Sequence, residues 1–382
     1  MKIKRLVKKT YLKILEFLPM DSHKIVFCNF CGKGYGDNPK YIAEEIKNEN
    51  LDFKMVWLAG NAQDTFPQYI SPVKMWSLRY YYELATAKVI ISNCRVFLGV
   101  DKRKGQIYLQ TWHAPFSPKK LEKEAIETLK PEYVVDAQKD GRVSDGILSN
   151  SSLLDQQYLR AFWLRDEKQI LRFGLPRNDF LVNNEKNLEL IETIRERINV
   201  STKEYVVLYA PTFRDDRTTE GYKIEIEGVR KAFETRFKRN CKFLIRMHPN
   251  VSNQIDEFCL NDNVINVTDY PDIQELSLAS DAIISDYSSS VFDFALINKP
   301  VFVCALDLKH YLETRGLLDD FFSFPFPLSQ SNYELINDIL NFNEKEYFEN
   351  IRTYFKMNPV YDKGDASRKT VSWICKKIEE SK

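Results

Sequence analysis

The sequence predicts an α/β protein of two domains, each built on a buried parallel sheet. Short continuous apolar runs alternate with longer stretches of helical periodicity, which is the signature of βαβ units with both sheet faces covered. That alternation starts afresh after residue 200. In addition, 382 residues exceed what one hydrophobic core commonly supports, since domains run to about 150–200 residues. In order, Ile25-Val-Phe27, Lys54-Met-Val-Trp-Leu58, Val89-Ile-Ile91 and Ile107-Tyr-Leu109 read as strands, with helices at Pro39–Lys47 and Trp76–Ala87 between them. The second series is Tyr205-Val-Val-Leu-Tyr209, Cys241-Lys-Phe-Leu-Ile245, Val264-Ile-Asn-Val267, Ala282-Ile-Ile284 and Val301-Phe-Val303. Polar residues from Asn178 to Val200 separate the two, their latter part reading as a surface helix or linker. The expected division is a basic amphipathic helix over 1–20, an amino-terminal Rossmann-like domain over 21–177 and a linker or helix over 178–203. A second Rossmann-like domain over 204–355 and a last helix over 356–382, crossing back to the first domain, complete it.

Composition narrows the function classes. Fifty-five basic residues against 54 acidic ones leave a formal charge of +1, too little for a protein that coats nucleic acid through its phosphates. Apolar residues at 44% and aromatics at 13% supply real cores and exclude disorder as the main state. No apolar run reaches the roughly 18 residues of a spanning helix. Lys13 and Glu16 interrupt what would be a signal core, so a cytoplasmic protein is expected. Seven scattered cysteines do not make a disulfide framework for a chain of this length. Cys28-x-x-Cys31 admits zinc or thiol exchange, but no second pair stands at metal spacing, and buried core thiols are the favoured reading. Residues Met1 to Leu18 place Ile3, Leu6, Val7, Tyr11, Ile14, Leu15 and Leu18 on one helical face and Lys2, Arg5, Lys9 and Lys13 opposite. Docking on an anionic membrane surface, at roughly 1 kcal/mol per nearby cation, and packing on its own domain both fit this pattern.

In open parallel sheets ligands bind beyond the carboxyl ends of the strands. Residues that follow a strand directly are therefore the candidates. Gln110-Thr-Trp-His113, Ala210-Pro-Thr-Phe-Arg214, Arg246-Met-His-Pro249 and Ser285-Asp-Tyr-Ser-Ser-Ser290 all do so, and they are expected to meet at the cleft between the domains. Of four histidines, His113 and His248 stand at such positions; His23 and His310 read as ordinary surface or structural residues. His113 is the candidate general base and His248 a phosphate-facing group, each with a hydrogen-bonded structural role as its alternative. Ser288, Ser289 and Ser290 offer hydroxyls and backbone N–H groups to a pyrophosphate, beyond what one N-cap needs. Asp293 can accept from ribose hydroxyls or serve as a first-turn charge. Arg177 can grip phosphate or form a salt bridge, and Arg368 is a second cation for a diphosphate. The glycines at 32, 34 and 36 match neither the dinucleotide fingerprint nor a P-loop, and fit a plain turn as well as an acceptor-lining loop.

Taken together, Thr111-Trp-His113 followed by Lys119-Lys120-Leu-Glu, Gly174-Leu-Pro-Arg-Asn-Asp179, Ala210-Pro-Thr-Phe-Arg214, Met247-His-Pro249, Ser285-Asp-Tyr-Ser-Ser289 with Phe292-Asp-Phe-Ala295, and Gly364-x-Ala-Ser-x-Arg368 resemble the CDP-glycerol glycerophosphotransferase family. These are the teichoic-acid primases and polymerases of bacterial envelopes. The resemblance runs in order from about residue 25 to 370. It implies a GT-B-like pair of Rossmann-type domains facing a central cleft, with the nucleotide held chiefly by the second and the acceptor approaching the first. It also implies a cytoplasmic enzyme, peripheral on the inner face of the cell membrane, where a polyprenyl-diphosphate-linked or polymeric acceptor lies. His113 and His248 fall on the family's two functional histidines, Ser288 and Ser289 on its phosphate-binding turn. The segment Ala114-Pro-Phe-Ser-Pro118 departs from the Gly-Thr-Pro-Leu common in the family, which leaves the acceptor open.

The reaction implied is attack of an acceptor hydroxyl, deprotonated by His113, on the β-phosphorus of CDP-glycerol or CDP-ribitol, with CMP leaving. His248, the Ser288–Ser290 turn, Lys119 and Arg368 or Arg214 supply charge, and no cofactor, metal or nucleic acid is called for. A nucleotide-sugar glycosyltransferase on the same fold and a noncatalytic envelope-assembly subunit are the alternatives. Donor alditol, primase against polymerase, wall polymer against capsule, and oligomeric state are not fixed by the residues.

Overall fold

The computed structural model describes residues 10–381, except 62–63, 98–99, 215–217, 249–250, 252–254 and 256–257. The chain divides into two compact units. The first holds residues up to His113, Leu121–Asp179 and everything from Tyr361 onward; the second holds Ala114–Lys120 and Phe180–Val360.

The first unit is a seven-stranded parallel sheet in the order β3-β2-β1-β4-β5-β6-β7. Its strands are β1 Asp21–Cys28, β2 Lys54–Ala59, β3 Ile70–Lys74, β4 Ala87–Ser92, β5 Ile107–Gln110, β6 Gly146–Leu148 and β7 Ile170–Leu171. The continuous apolar runs follow from burial on both faces. Successive side chains of a strand point to opposite sides, so Ile25 and Phe27 join Trp57, Ile91 and Leu109 on one face. Val26 and Cys28 join Val56, Leu58, Ile90 and Tyr108 on the other. The first face is closed by the helix Asp37–Asn48 through Ile42 and Ile46, and by the last helix, Ala366–Glu380, through Val371, Ile374 and Ile378. Trp57 is fully buried and stacks on Phe27 with ring centroids 5.5 Å apart; truncating it to alanine costs about 3–5 kcal/mol. The helix Leu78–Thr86 covers the second face and starts where the Ser77 side chain accepts from the Tyr80 N–H.

The second unit repeats the plan with six parallel strands in the order β10-β9-β8-β11-β12-β13. These are β8 Tyr205–Tyr209, β9 Cys241–Ile245, β10 Val264–Asn266, β11 Ala282–Ser285, β12 Val301–Cys304 and β13 Leu328–Ser329. Both sheets reverse strand order once, between β1 and β4 in the first and between β8 and β11 in the second, and such switch points are where loops open a ligand crevice.

Some expectations need correction. Of the two readings of 178–203, linker or helix, the helical one is seen in the latter part, Leu188–Arg197, which belongs to the second unit, while the helix before it, Pro176–Asn184, spans the boundary at Asp179. Arg195 anchors Leu188–Arg197: the guanidinium donates to the Ala279 carbonyl at 2.9 Å and pairs with Asp281 at 2.9 Å. Residues 114–120, placed in the amino-terminal domain, group with the second unit. Of the cysteines, Cys28, Cys241 and Cys304 are buried as core thiols, whereas Cys31 and Cys259 are exposed. The basic amino-terminal face at Lys2, Arg5 and Lys9 lies outside the described residues. Residues 10–15 are helical and pack on the first unit through Leu15, with Tyr11 and Leu18 against the same core. No helix among the described residues is long and apolar enough to cross a membrane.

Candidate functional site

In the first unit the polar groups gather at the switch point. Asn29 follows β1, Asn93 follows β4, and both are buried. The Asn93 amide donates to Asn29 Oδ1 at 2.7 Å, and the Phe30 N–H donates to Asn93 Oδ1 at 2.7 Å. One strand further on, β5 runs into Thr111-Trp112-His113, with Trp112 at φ +51°. That left-handed conformation is held from both sides. Gln110 Oε1 accepts from the Trp112 N–H at 3.0 Å, and the buried Asn38 amide donates to the Trp112 carbonyl at 3.1 Å. Beneath them Gln110 and the Tyr108 hydroxyl both donate to Asp140, at 3.2 and 2.8 Å.

His113 is half-buried, its ring 4.3 Å from that of Trp112 and 5.3 Å from that of Phe30. Its Nδ1 lies 2.9 Å from the Asn93 carbonyl. A carbonyl only accepts, so Nδ1 carries the proton and the lone pair of the neutral ring sits at Nε2. Burial lowers the imidazole pKa below its usual value, against the opposing pull of the Asn93 carbonyl and Asp37. At neutral pH the ring is therefore uncharged and able to accept a proton, as a general base requires.

In the second unit three adjacent strands present their carboxyl ends. Beyond β9 stands His248, half-buried, with its ring 4.6 Å from that of Phe213, which follows β8. Beyond β11 comes the serine turn. Ser288 and Ser290 hydroxyls lie 2.8 Å apart, and the Ser290 N–H donates to Ser288 Oγ at 3.2 Å. Ser289, at the N-cap of the helix Ser290–Leu296, makes no capping bond with its side chain. The turn rests on Asp286, whose Oδ1 accepts from the N–H groups of Thr212 and Tyr287 at 2.8 and 2.7 Å.

The other basic and acidic candidates have different surroundings. Arg214 is corrected from a phosphate ligand to a buried structural ion. It pairs with Asp286 at 2.9 Å and with Asp307 at 2.6 Å, and its remaining nitrogen donates to Thr212. No guanidinium nitrogen is left to face a ligand. Arg177 realises its salt-bridge alternative: it is buried, pairs with Asp37 at 2.9 Å and donates to the His113 carbonyl at 3.1 Å. Asp293 is only 2% exposed on the first turn of its helix. Arg368 is exposed in the first unit, 3.7 Å from Asp365. Lys119, half-buried in the second unit, sits on a strand-like bridge to Leu317. The divergent segment 114–118 is buried, anchored by Phe116 against Phe292 and Phe324.

Sequence reasoning missed Asn29 and Asn93, and it gave Asp286, inside the serine motif, no role of its own. Asn93 stands directly after a strand, the same signal that singled out His113, but an asparagine announces no proton chemistry of its own.

Two Rossmann-type parallel sheets with histidines at strand ends and a hydroxyl-rich turn at a switch point define a GT-B-like transferase. The sequence matches the family described as CDP-glycerol:poly(glycerophosphate) glycerophosphotransferase over residues 10–376, and the chain belongs to that family. It is 32% identical over 393 residues to the teichoic acid glycerol-phosphate transferase of Staphylococcus aureus, covering 98% of this chain and 99% of that one. It is 31% identical over 373 residues to a teichoic acid poly(glycerol phosphate) polymerase of Staphylococcus epidermidis, covering 93% of this chain but only 51% of that one. Among solved structures, the wall teichoic acid polymerase TagF soaked as a variant with CDPG is 29% identical, with a TM-score of 0.86 over 99% of this chain and 96% of that one. Membership makes the chain a glycerophosphotransferase-type enzyme of teichoic acid synthesis.

Proposed function

We propose that the chain transfers glycerol phosphate from CDP-glycerol to a hydroxyl of a lipid-linked or polymeric acceptor, with His113 as the general base. The observation that carries this is the Nδ1 contact with the Asn93 carbonyl, which leaves Nε2 of a neutral imidazole as the proton acceptor. The acceptor hydroxyl gives its proton to Nε2 while its oxygen bonds to the β-phosphorus. The bond from that phosphorus to the bridging oxygen breaks, and CMP leaves with the oxygen. His248 and the Ser288–Ser290 turn neutralise the phosphate charge, a task that needs alignment and preorganised donors more than covalent chemistry. Lys119 and Arg368 are the remaining cations proposed for the donor, whereas Arg177 and Arg214 act by holding His113 and the serine turn in place.

The acceptor's location gives the amino-terminal helix its role. Ile14 and Phe17 are exposed, as are Trp76 and Leu78, and Tyr11 donates to the Leu78 carbonyl at 3.1 Å. These apolar groups and the basic residues before them suit peripheral binding to an anionic membrane on the cytoplasmic face.

The test is CMP release from CDP-glycerol, CDP-ribitol and common nucleotide sugars in the presence of a lipid-linked acceptor. CMP from a CDP-alditol, lost in His113→Ala and His248→Ala, is the expected result. A sugar transferred with release of a nucleoside diphosphate would identify the glycosyltransferase alternative, and retained polymer synthesis in both variants would identify a noncatalytic subunit.

A further inference from the structure

The base of a proton transfer must be held in one tautomer and one direction, and in this chain that task falls to residues that bear no acid or base. We infer that Asn93, locked by Asn29, is the positioning residue for His113 and ties it to the glycine-bearing loop after β1. The inference rests on reading His113 as the general base.

Asn93 uses every group it has. Its carbonyl meets His113 Nδ1 at 2.9 Å, its side-chain oxygen accepts from Phe30 N–H at 2.7 Å, and its side-chain amide donates to Asn29 Oδ1 at 2.7 Å. Its own N–H reaches back to the Cys28 carbonyl at 3.3 Å. Asn29 in turn donates to the carbonyls of Lys33 and Gly34, at 2.8 and 3.3 Å. Asn29 is 3% exposed and Asn93 fully buried, where a lost partner costs more than the bond itself contributes. The backbone they clamp is strained: Phe30 and Cys31 are successive non-glycine residues at φ +40° and +54°. Such conformations persist only where the surroundings over-determine them. The same Phe30 lays its ring edge-on to His113. The pair thus fixes at once the carbonyl that selects the tautomer and the aromatic edge that limits the ring's rotation. A ligand that moves the loop over 30–36 also moves the base.

The experiment measures kcat and KM for CMP release from CDP-glycerol across pH in Asn93→Ala, Asn29→Ala, Asn29→Asp and His113→Ala, with thermal unfolding as a check on folding. Truncating either asparagine should lower kcat about 10–100-fold with KM for the donor within about twofold, the mark of a misaligned base and not of weakened binding. Asn29→Asp keeps the oxygen that Asn93 needs but loses the donor to the Lys33 and Gly34 carbonyls. It should therefore recover only the part of the activity lost in Asn29→Ala that depends on the Asn93 contact, and no recovery at all counts against the inference. The acid limb of the profile should shift in Asn93→Ala, because the carbonyl that favours the imidazolium is displaced while Asp37, Arg177 and Arg95 remain around the ring. Folded alanine variants with wild-type kcat and an unchanged acid limb, beside an inactive His113→Ala, would overturn this inference and leave the base assignment standing. Full activity in His113→Ala would instead overturn the base assignment itself, and the inference with it. Should Asn93→Ala fail to fold, the contrast between Asn29→Ala and Asn29→Asp decides alone.

Discussion

Asp179 caps a helix that lies 187 residues away in sequence: its two carboxylate oxygens accept from the backbone N–H groups of Ala366 and Ser367, at 2.9 and 2.6 Å. The two terminal motifs of the first unit, Gly174–Asp179 and Gly364–Arg368, are therefore one structural joint. Gly174, at φ +93°, packs so closely on Asp362 that a Cβ would fall 2.7 Å from its Oδ1. Asp362 Oδ1 accepts from Leu175 N–H at 2.7 Å, and its other oxygen from Asn150 and Asn178. Replacing Asp179 with alanine strands two N–H groups at the start of the last helix and should destabilise the protein by about 1–2 kcal/mol. Urea denaturation measures this; a loss under about 0.3 kcal/mol would show that water replaces the carboxylate.

Arg214 is a buried charge of the second unit, 3% exposed. It is enclosed by Asp286 and Asp307 and by the rings of Tyr222, Tyr287 and Tyr311, each centred 5.0–5.5 Å from its guanidinium carbon. Arg214→Ala leaves two buried carboxylates without their counter-ion and should cost about 3–5 kcal/mol. Gly221→Ala should disturb the same cluster from outside, since a Cβ there would lie 2.3 Å from Arg214 Nη2. Loss of CMP release in Arg214→Ala with an unchanged melting temperature would contradict this and return Arg214 to the role of ligand.

Asp140 makes stability depend on pH in an unusual direction. Burial pushes its carboxyl up to about 6, above the value of an unfolded aspartate, so the folded state binds the extra proton between about pH 4 and 6. Its contribution is fully present below that window and is lost as pH rises through it, by up to about 3 kcal/mol. Asp140→Asn removes the titration, so its unfolding free energy should fall less than that of the wild type from pH 4 to pH 6. Parallel curves for the two proteins would show that Asp140 ionises normally.

How far the sequence carried the fold depended on burial. The central strands β1, β2, β4 and β5 are apolar on both faces and could be found as continuous runs. Of the edge strands only β10 was legible: β3 contains Pro72 and is exposed at three of five positions, while β7 and β13 are two residues long. Strand-end logic located His113, His248 and the serine turn because each follows a legible strand. It could not foresee the ion pairs of Arg214, because a buried ion pair is decided by partners such as Asp307, 93 residues away, that no local pattern announces. Phe116 shows the same limit. Nothing in its sequence neighbours announces the rings of Phe292 and Phe324 that it packs against in space.

The amino-terminal face makes a prediction that separates membrane binding from folding. Leu15 is buried, whereas Ile14 is 56% and Phe17 88% exposed. Arg103 donates to the carbonyls of Glu16 and Leu18 at 2.6 and 2.8 Å and so holds the exposed residues in place. Ile14→Glu with Phe17→Glu should reduce binding to phosphatidylglycerol-rich vesicles at least tenfold, since each apolar side chain contributes about 1.5–3 kcal/mol when buried. The melting temperature should stay within about 1–2 °C, because surface changes rarely exceed about 0.5 kcal/mol. Wild-type vesicle binding in the double variant would place the membrane contact elsewhere.

The pH dependence of catalysis tests the base directly. Burial holds His113 below the usual histidine value, so the neutral form dominates from mildly acidic pH upward. The acid limb of kcat/KM for the CDP-alditol should therefore bend below about pH 6.5, the unperturbed value. His113→Asn preserves a polar side chain of similar reach but cannot take the proton, and should lower the rate about 10²–10⁴-fold. In that variant the residual rate should lose the acid limb altogether. An acid limb above pH 7 in the wild type, or the same limb surviving in His113→Asn, would mean that the titrating base is another group, and His248 is then the next to be replaced.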